Sequence, residues 1–237
     1  MTYRSALGIA IWGVLAYLVV ASSSGAAENQ LDSAERAAGW KLIFDGQTTT
    51  GWRSFKKPVF PTNGWVIKDG WLHCTGTGGG DIITDATFDN FEFSWEWRLA
   101  TNGNSGVKYF ITEKRNSPVG HEYQLIDNER NEDARLREGR RVTASLYDLL
   151  QPVGAQPNPP EQINFSRLLV RGNHVEHWLN GIKVLEYECS SPALKEAVAG
   201  SKYRSIPGFG DKISGHLLLQ DHHCQVWFRN LKIRPIP

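Results

Sequence analysis

The sequence predicts an all-β protein built as a sandwich or jelly roll, and three observations carry this. In "FEFSWEWRL", Phe91, Phe93, Trp95, Trp97 and Leu99 alternate with Glu92, Ser94, Glu96 and Arg98, the period of a strand with one face in a core. Asp69-Gly70 and Asn180-Gly181 each separate two apolar runs, which is the chemistry of a two-residue hairpin turn with positive φ at both central residues. Helical periodicity is scarce, and many short strands with Gly-rich turns belong to a two-layer β architecture.

The first residues stand apart. Arg4 precedes an apolar run from Ala6 to Ala21, and the small residues of "SSSGAAENQ" follow, which reads as a signal peptide over residues 1–27. The run is short for a bilayer span and its far flank lacks stop-transfer charge, so the expectation is one periplasmic or secreted domain, 28–237, free of the membrane after cleavage.

"SAERAAGW" suits a short helix, and residues 40–127 then read almost wholly as short strands, with the Asp69-Gly70 hairpin in "GWVIKDGWLHCTG" and "FEFSWEWRL" after it. In "TNGNSGVKYF", Gly106 permits close approach to the backbone, and Asn104 and Lys108 could hydrogen-bond a polyol. In "HEYQLIDNE" the strand period sets Glu122 and Gln124 on one face and Tyr123, Leu125 and Asp127 on the other, with Asp127 at a strand end where the backbone can re-aim it. Residues 128–165 break the pattern with mixed charge and then a Pro-rich stretch, either a functional loop or a solvated insertion.

The second hairpin, "HVEHWLNGIKVLEYE", should place Trp178 and Tyr187 on the same face, where they could stack on a sugar ring or simply on each other. "SPALKEAVAG" reads as a helix with Ser191 as N-cap and Pro192 at its first position. In "GHLLLQDHH", Leu217, Leu219 and Asp221 share one face; if the leucines mark the core, Gln220 and His222 face a groove. A carboxylate and an imidazole converging on one surface make an acid/base pair, against the plainer reading of wet-face glutamates and a hydrogen-bonded strand-end histidine. The closing strand, "CQVWFRNLKI", contains a slip in alternation that suggests a bulge.

The 237 residues carry a net charge of +1, without the basic stripe that a nucleic-acid partner requires. The three cysteines, Cys74, Cys189 and Cys224, form no CxxC pair, so a zinc site is disfavoured and at most one disulfide can form. Asp221, His222 and His223 are ligand types, but adjacent strand residues point to opposite faces and do not close easily on one ion. No cofactor is assigned, and a divalent metal held by residues distant in sequence stays open.

"LIFDGQTTTGW", "NSGVKYF", "HEYQLID", "ASLYDLLQP", "HVEHWLNGIKVLEYE" and "GHLLLQDHHCQVWFRNLKI" together, in order and spacing from about Gly39 to Ile233, resemble the 3-keto-disaccharide hydrolase family. The resemblance implies a concanavalin A-like jelly-roll sandwich of two curved antiparallel sheets with a concave ligand groove. It also implies a secreted enzyme acting on 3-keto-glycosides, a hydrolase or a lyase/hydratase. It carries over site roles to Glu122, Gln124, Asp127, Gln220, Asp221 and His222. The family pattern has Gly after "QDH", where this chain has His223.

A 3-keto group acidifies the C2 hydrogen and sets the C1 substituent β to the carbanion, so proton removal expels the aglycone and water then adds to the enone. Glu122 or Asp127 is expected as base, His222 as acid, and Gln124, Gln220 or Lys108 as polarising groups. Two rival readings stand beside this one. A retaining glucanase needs two close carboxylates, and its E-x-D-x-x-E sign is missing; Glu92 and Glu96 are spaced differently. A non-catalytic carbohydrate-binding module would need the aromatic platform without the acid/base pair.

Overall fold

The computed structural model describes residues 28–236. The proposed signal, residues 1–27, lies outside the described residues. The strands are β1 (Lys41–Leu42), β2 (Trp52–Ser54), β3 (Trp65–Lys68), β4 (Trp71–Thr75), β5 (Ile82–Thr84), β6 (Phe91–Leu99) and β7 (Asn104–Ile111). They continue as β8 (His121–Ile126), β9 (Asn164–Arg171), β10 (His174–Leu179), β11 (Ile182–Glu188), β12 (His216–Leu219) and β13 (Gln225–Pro235). Two antiparallel sheets result, one ordered β11-β10-β9-β6-β13-β4-β3 with β1 added to β13, the other β2-β5-β12-β7-β8. This is the all-β sandwich that the alternation predicts.

The core lies between the sheets. Phe91, Phe93, Trp95 and Trp97 enter it from β6, and Val107, Tyr109, Tyr123, Leu125, Leu217 and Leu219 meet them from the five-stranded sheet. The opposite parity of β7 and β8 therefore looks outward, which is where the polar side chains of interest emerge. Both hairpin turns take the expected geometry, with φ of 51° and 75° at Asp69-Gly70 and 49° and 85° at Asn180-Gly181. The bulge in β13 falls between Arg229 and Lys232. Helix α1 (Ser33–Ala37) carries an Asp32–Glu35 capping box, and α2 (Pro192–Ala199) starts on the Ser191 cap with Pro at its first turn. Among the described residues no helix is long and apolar enough to cross a membrane.

One expectation fails. A register shift in the β10–β11 hairpin pairs Val175 with Tyr187 and Trp178 with Lys183. A one-residue slip reverses every side chain beyond it, so Tyr187 turns into the core while Trp178 stays on the outward face. The two aromatics do not form a platform. Arg167 lies over the Trp178 ring at 3.9 Å and the indole N–H donates to Glu176 at 2.7 Å.

The irregular stretch after β8 is built, not loose. The Ala144 N–H donates to the Gln124 carbonyl at 2.8 Å and the Tyr147 N–H to the Glu122 carbonyl at 3.0 Å, so this segment covers the open edge of β8. Asp148, almost fully buried, accepts from Arg141 Nε at 2.8 Å and from the Lys202 backbone N–H at 3.0 Å, tying the segment to the loop after α2. Cys74, Cys189 and Cys224 are all unpaired, and the first two are buried.

Candidate active site

On the outward face of the five-stranded sheet a pocket of about 290 Å³ is floored by Asn104 and Lys108 of β7, Glu122 and Gln124 of β8, and Gln220 and His222 just past β12. Tyr147, Lys202 and Tyr203 complete its wall. The strand pairing explains the convergence: Lys108 lies opposite Glu122 and Gly106 opposite Gln124, and the Gln220 N–H donates to the Gly106 carbonyl at 3.0 Å. Six of the nine residues expected at the site meet here. His222 stands exposed on the rim, and among the described residues its side chain makes no hydrogen bond.

Glu122 is 5% exposed. Burial raises its carboxyl above the ordinary range, while the ammonium groups of Lys108 and Lys202 oppose that rise. With its NH₂ turned toward Glu122, Gln124 donates to Glu122 Oε1 at 3.2 Å and to the Ser105 carbonyl at 3.1 Å, which relieves an otherwise acceptor-only contact. Lys108 Nζ lies 3.6 Å from Asp81. Burial pushes the Asp81 carboxyl up and Lys108 pulls it back. Gln220 leaves its Oε1 buried with no hydrogen-bond partner among the described residues, an acceptor on the pocket lining where a ligand hydroxyl could donate.

Three of the expected residues are elsewhere. Asp127 lines a separate cavity of about 510 Å³ beneath the Pro-rich stretch. Its Oδ2 accepts from the Asn102 N–H at 2.9 Å, and its Oδ1 from the Glu129 and Arg130 N–H groups at 3.2 Å. Burial alone would raise this carboxyl, but those backbone donors outweigh it and hold the group below its usual range, as befits a loop cap. Trp178 lies on the outward face of the other sheet.

Asp221 turns away from the pocket. It accepts from the Gly80 N–H at 2.9 Å and the His223 N–H at 3.0 Å, and its own N–H donates to Asp81 at 2.9 Å. It thereby braces the partner of Lys108. His223 has φ 56°, the left-handed conformation that glycine adopts without penalty.

Sequence reading missed Asp81, Tyr147, Lys202 and Tyr203. Asp81 sits in a glycine run and the others in segments without periodicity, where no pattern fixes a side chain's direction. Among the described residues one group of three metal-ligand types comes together, His174, Glu176 and Glu186 on the β10–β11 hairpin, with ligand atoms within 4.8 Å of one another. It is not in the pocket, and the Lys183 ammonium already sits 3.4 Å from Glu176 and 2.5 Å from Glu186.

Residues 39–234 match the family described as 3-keto-alpha-glucoside-1,2-lyase-like domain. A "3-keto-disaccharide hydrolase" of Bacteroides thetaiotaomicron is 32% identical over 229 residues, covering 84% of this chain and 79% of its own length. A crystal structure from Parabacteroides distasonis, provisionally described as a glycosyl hydrolase, superposes with a TM-score of 0.81 at 33% identity, covering 89% of this chain and all of its own. A second from the same organism, with TM-score 0.66 at 24% identity over 83% of this chain and 99% of its own, shares the fold.

Proposed function

The chain belongs to the 3-keto-alpha-glucoside-1,2-lyase-like family, and on that premise we propose that it cleaves 3-keto-glycosides, 3-keto-disaccharides among them, by elimination at C1–C2 followed by hydration. The observation that carries this reading is the meeting of a buried carboxylate, Glu122, with an orphaned amide oxygen, Gln220 Oε1, and two ammonium groups in one pocket the size of a sugar ring. Glu122 takes the C2 proton. Its burial makes it a stronger base than an exposed glutamate, and Gln124 fixes its orientation. Lys108, braced by Asp81 and through it by Asp221, contributes positive potential where negative charge develops.

Asn104, Gln124 and Gln220 orient the ring hydroxyls. His222 on the rim protonates the departing glycosidic oxygen and later deprotonates the water that adds to the enone. Asp127 has no part in this scheme, because its oxygens are engaged by backbone donors. Export is part of the proposal and rests on the apolar run of residues 6–21 and the small residues after it.

The test is turnover of a 3-keto-disaccharide, followed by release of the 3-keto sugar. Glu122→Gln is expected to lower kcat by about 10²–10⁴-fold, the range for loss of a general base, with the melting temperature kept. His222→Ala should slow substrates with poor leaving groups more than those with good ones. Binding of the 3-keto-disaccharide by the wild type without turnover would overturn the reading in favour of a carbohydrate-binding module.

A further inference from the structure

Two ammonium groups face the pocket, and they are differently placed. Lys108 is buried in the floor and committed to Asp81 at 3.6 Å. Lys202 stands at the mouth, and among the described residues its Nζ forms neither an ion pair nor a hydrogen bond. Its neighbours are π faces: the ammonium lies 4.2 Å from the Tyr147 ring centroid and 5.2 Å from that of Tyr203. Aromatic faces hold a cation in place without using its N–H donors, so all three remain available to a ligand.

The backbone beneath Lys202 is firmly built. Its N–H donates to Asp148 Oδ2 at 3.0 Å, and Asp148 is itself held by Arg141 at 2.7 Å and Arg137 at 3.3 Å. The preceding Ser201 is buried; its hydroxyl donates to the Val198 carbonyl at 2.8 Å and accepts from the Tyr203 N–H at 3.0 Å. The Tyr147 hydroxyl donates to Asp133 at 2.8 Å, so the ring under the ammonium is also fixed. A long flexible side chain is thus held from two sides over a cavity whose floor is Glu122, with no partner of its own. Removal from water and the nearby cations Arg141 and Lys108 make the charged form of Lys202 less favourable, while Glu122 and Asp148 restore part of it.

We propose that Lys202 is a catalytic residue that receives the C3 oxygen of the 3-keto sugar and stabilises the enolate formed at C2. The inference rests on the 3-keto-glycoside reading above. In the step it serves, the C2–H bond breaks and the proton passes to Glu122. The bond's electron pair forms C2=C3, and the carbonyl pair moves to O3, which carries the negative charge against the Lys202 ammonium. The pair then returns: C3=O re-forms, C1=C2 forms, and the C1–O bond breaks with a proton supplied from the rim. Atoms and electrons balance without a redox partner.

The probe is the 3-keto derivative of 1,5-anhydroglucitol, a sugar ring with hydrogen in place of the C1 leaving group, so that C2–H exchange with D₂O is read by NMR apart from elimination. Wild type should exchange the C2 hydrogen. Lys202→Met should exchange about 10²–10³-fold more slowly with its melting temperature unchanged, the scale of losing one donor to an oxyanion. Lys202→Cys should be equally slow, and its alkylation with 2-bromoethylamine, which rebuilds an ammonium of nearly the same length, should restore exchange to within about tenfold of wild type treated alike. Cys74, Cys189 and Cys224 make that treated wild type the necessary control. Exchange by Lys202→Met at the wild-type rate, or no recovery on alkylation, overturns the role of Lys202 while leaving C2 abstraction standing. Wild type that fails to exchange overturns both.

Discussion

Gly106, paired with Gln124 across β7 and β8, sets the room that the Glu122 carboxylate has beneath the pocket. A Cβ built on it would stand 2.3 Å from Glu122 Oε1, so the carboxylate lies directly against the β7 backbone in the space that a side chain would fill. Glycine is required there for room, not for its backbone angle, since its φ is not in the left-handed region. Gly106→Ala should leave the sandwich intact, at a cost of about 1–3 kcal/mol for crowding, and displace the Glu122 carboxylate. A misplacement of about 1 Å is worth up to 10²-fold, so kcat should fall by roughly that factor. Steady-state kinetics beside a thermal melt separate the two effects; an unchanged kcat would show that Glu122 need not lie where it does.

At the scale of the element, β8 serves two faces at once. Glu122 and Gln124 meet the pocket, while His121 and Tyr123 enter the core. There His121 joins a hydrogen-bond chain whose direction is fixed from one end. His177 Nδ1 donates to the Ala144 carbonyl at 2.9 Å, so its Nε2 accepts from the Tyr109 hydroxyl at 2.8 Å. Tyr109 then accepts from Tyr187 at 2.7 Å, and Tyr187 from His121 Nδ1–H at 2.7 Å. Both imidazoles are neutral in this order. Burial lowers His121 to about 3 and His177 to about 4 from an ordinary 6.5.

The unfolded chain therefore takes up two protons below pH 6.5 that the folded chain refuses until about 4 and 3, so stability is lost as pH falls through that window. Each site contributes a slope of up to ~1.4 kcal/mol per pH unit. Glu122, raised by burial, acts with the opposite sign, so Glu122→Gln is the right background for the measurement. Urea titrations at pH 6.5, 5.5 and 4.5 should show a falling midpoint; a flat profile would mean that the core imidazoles are not held neutral.

Strand period pairs Glu122 with Gln124 on one face of β8, because alternation fixes direction once a core face is known, and the same parity carried past the end of β12 pairs Gln220 with His222. That parity sets Asp221 opposite Gln220 and His222, and its carboxylate accepts from the Gly80 and His223 N–H groups. Alternation fails for Tyr187, where one extra residue in a hairpin reverses the parity; Asp127, just past the end of β8, accepts from the Glu129 and Arg130 N–H groups of its own loop. Lys202 and Tyr147 come from loops whose course is set by contacts distant in sequence, Asp148 to the Lys202 backbone and Tyr147 to β8, and local pattern carries no sign of either.

For the whole molecule, the two sheets divide the labour. The outward face of the eight-stranded sheet carries an ion ladder in which Glu92 accepts from Arg167 and from Arg234, each at 2.7 Å, and Arg229 donates to Glu96 at 2.7 Å. The outward face of the five-stranded sheet instead gathers groups that have no polar partner among the described residues: the Gln220 amide oxygen, the Lys202 ammonium and the His222 imidazole. Between them the aromatic core of β6 makes the platform rigid, which is the condition for electrostatic preorganisation at the pocket.

The central claim is that cleavage begins with loss of the C2 proton, and solvent isotope tests it most directly. A 3-keto-glucoside turned over in D₂O, with the 3-keto sugar sampled at initial rate and corrected for its own exchange, should yield product carrying deuterium at C2, because hydration of the enone delivers a solvent proton there. Product released at the same rate with its C2 hydrogen retained would contradict the account and point to direct displacement at C1.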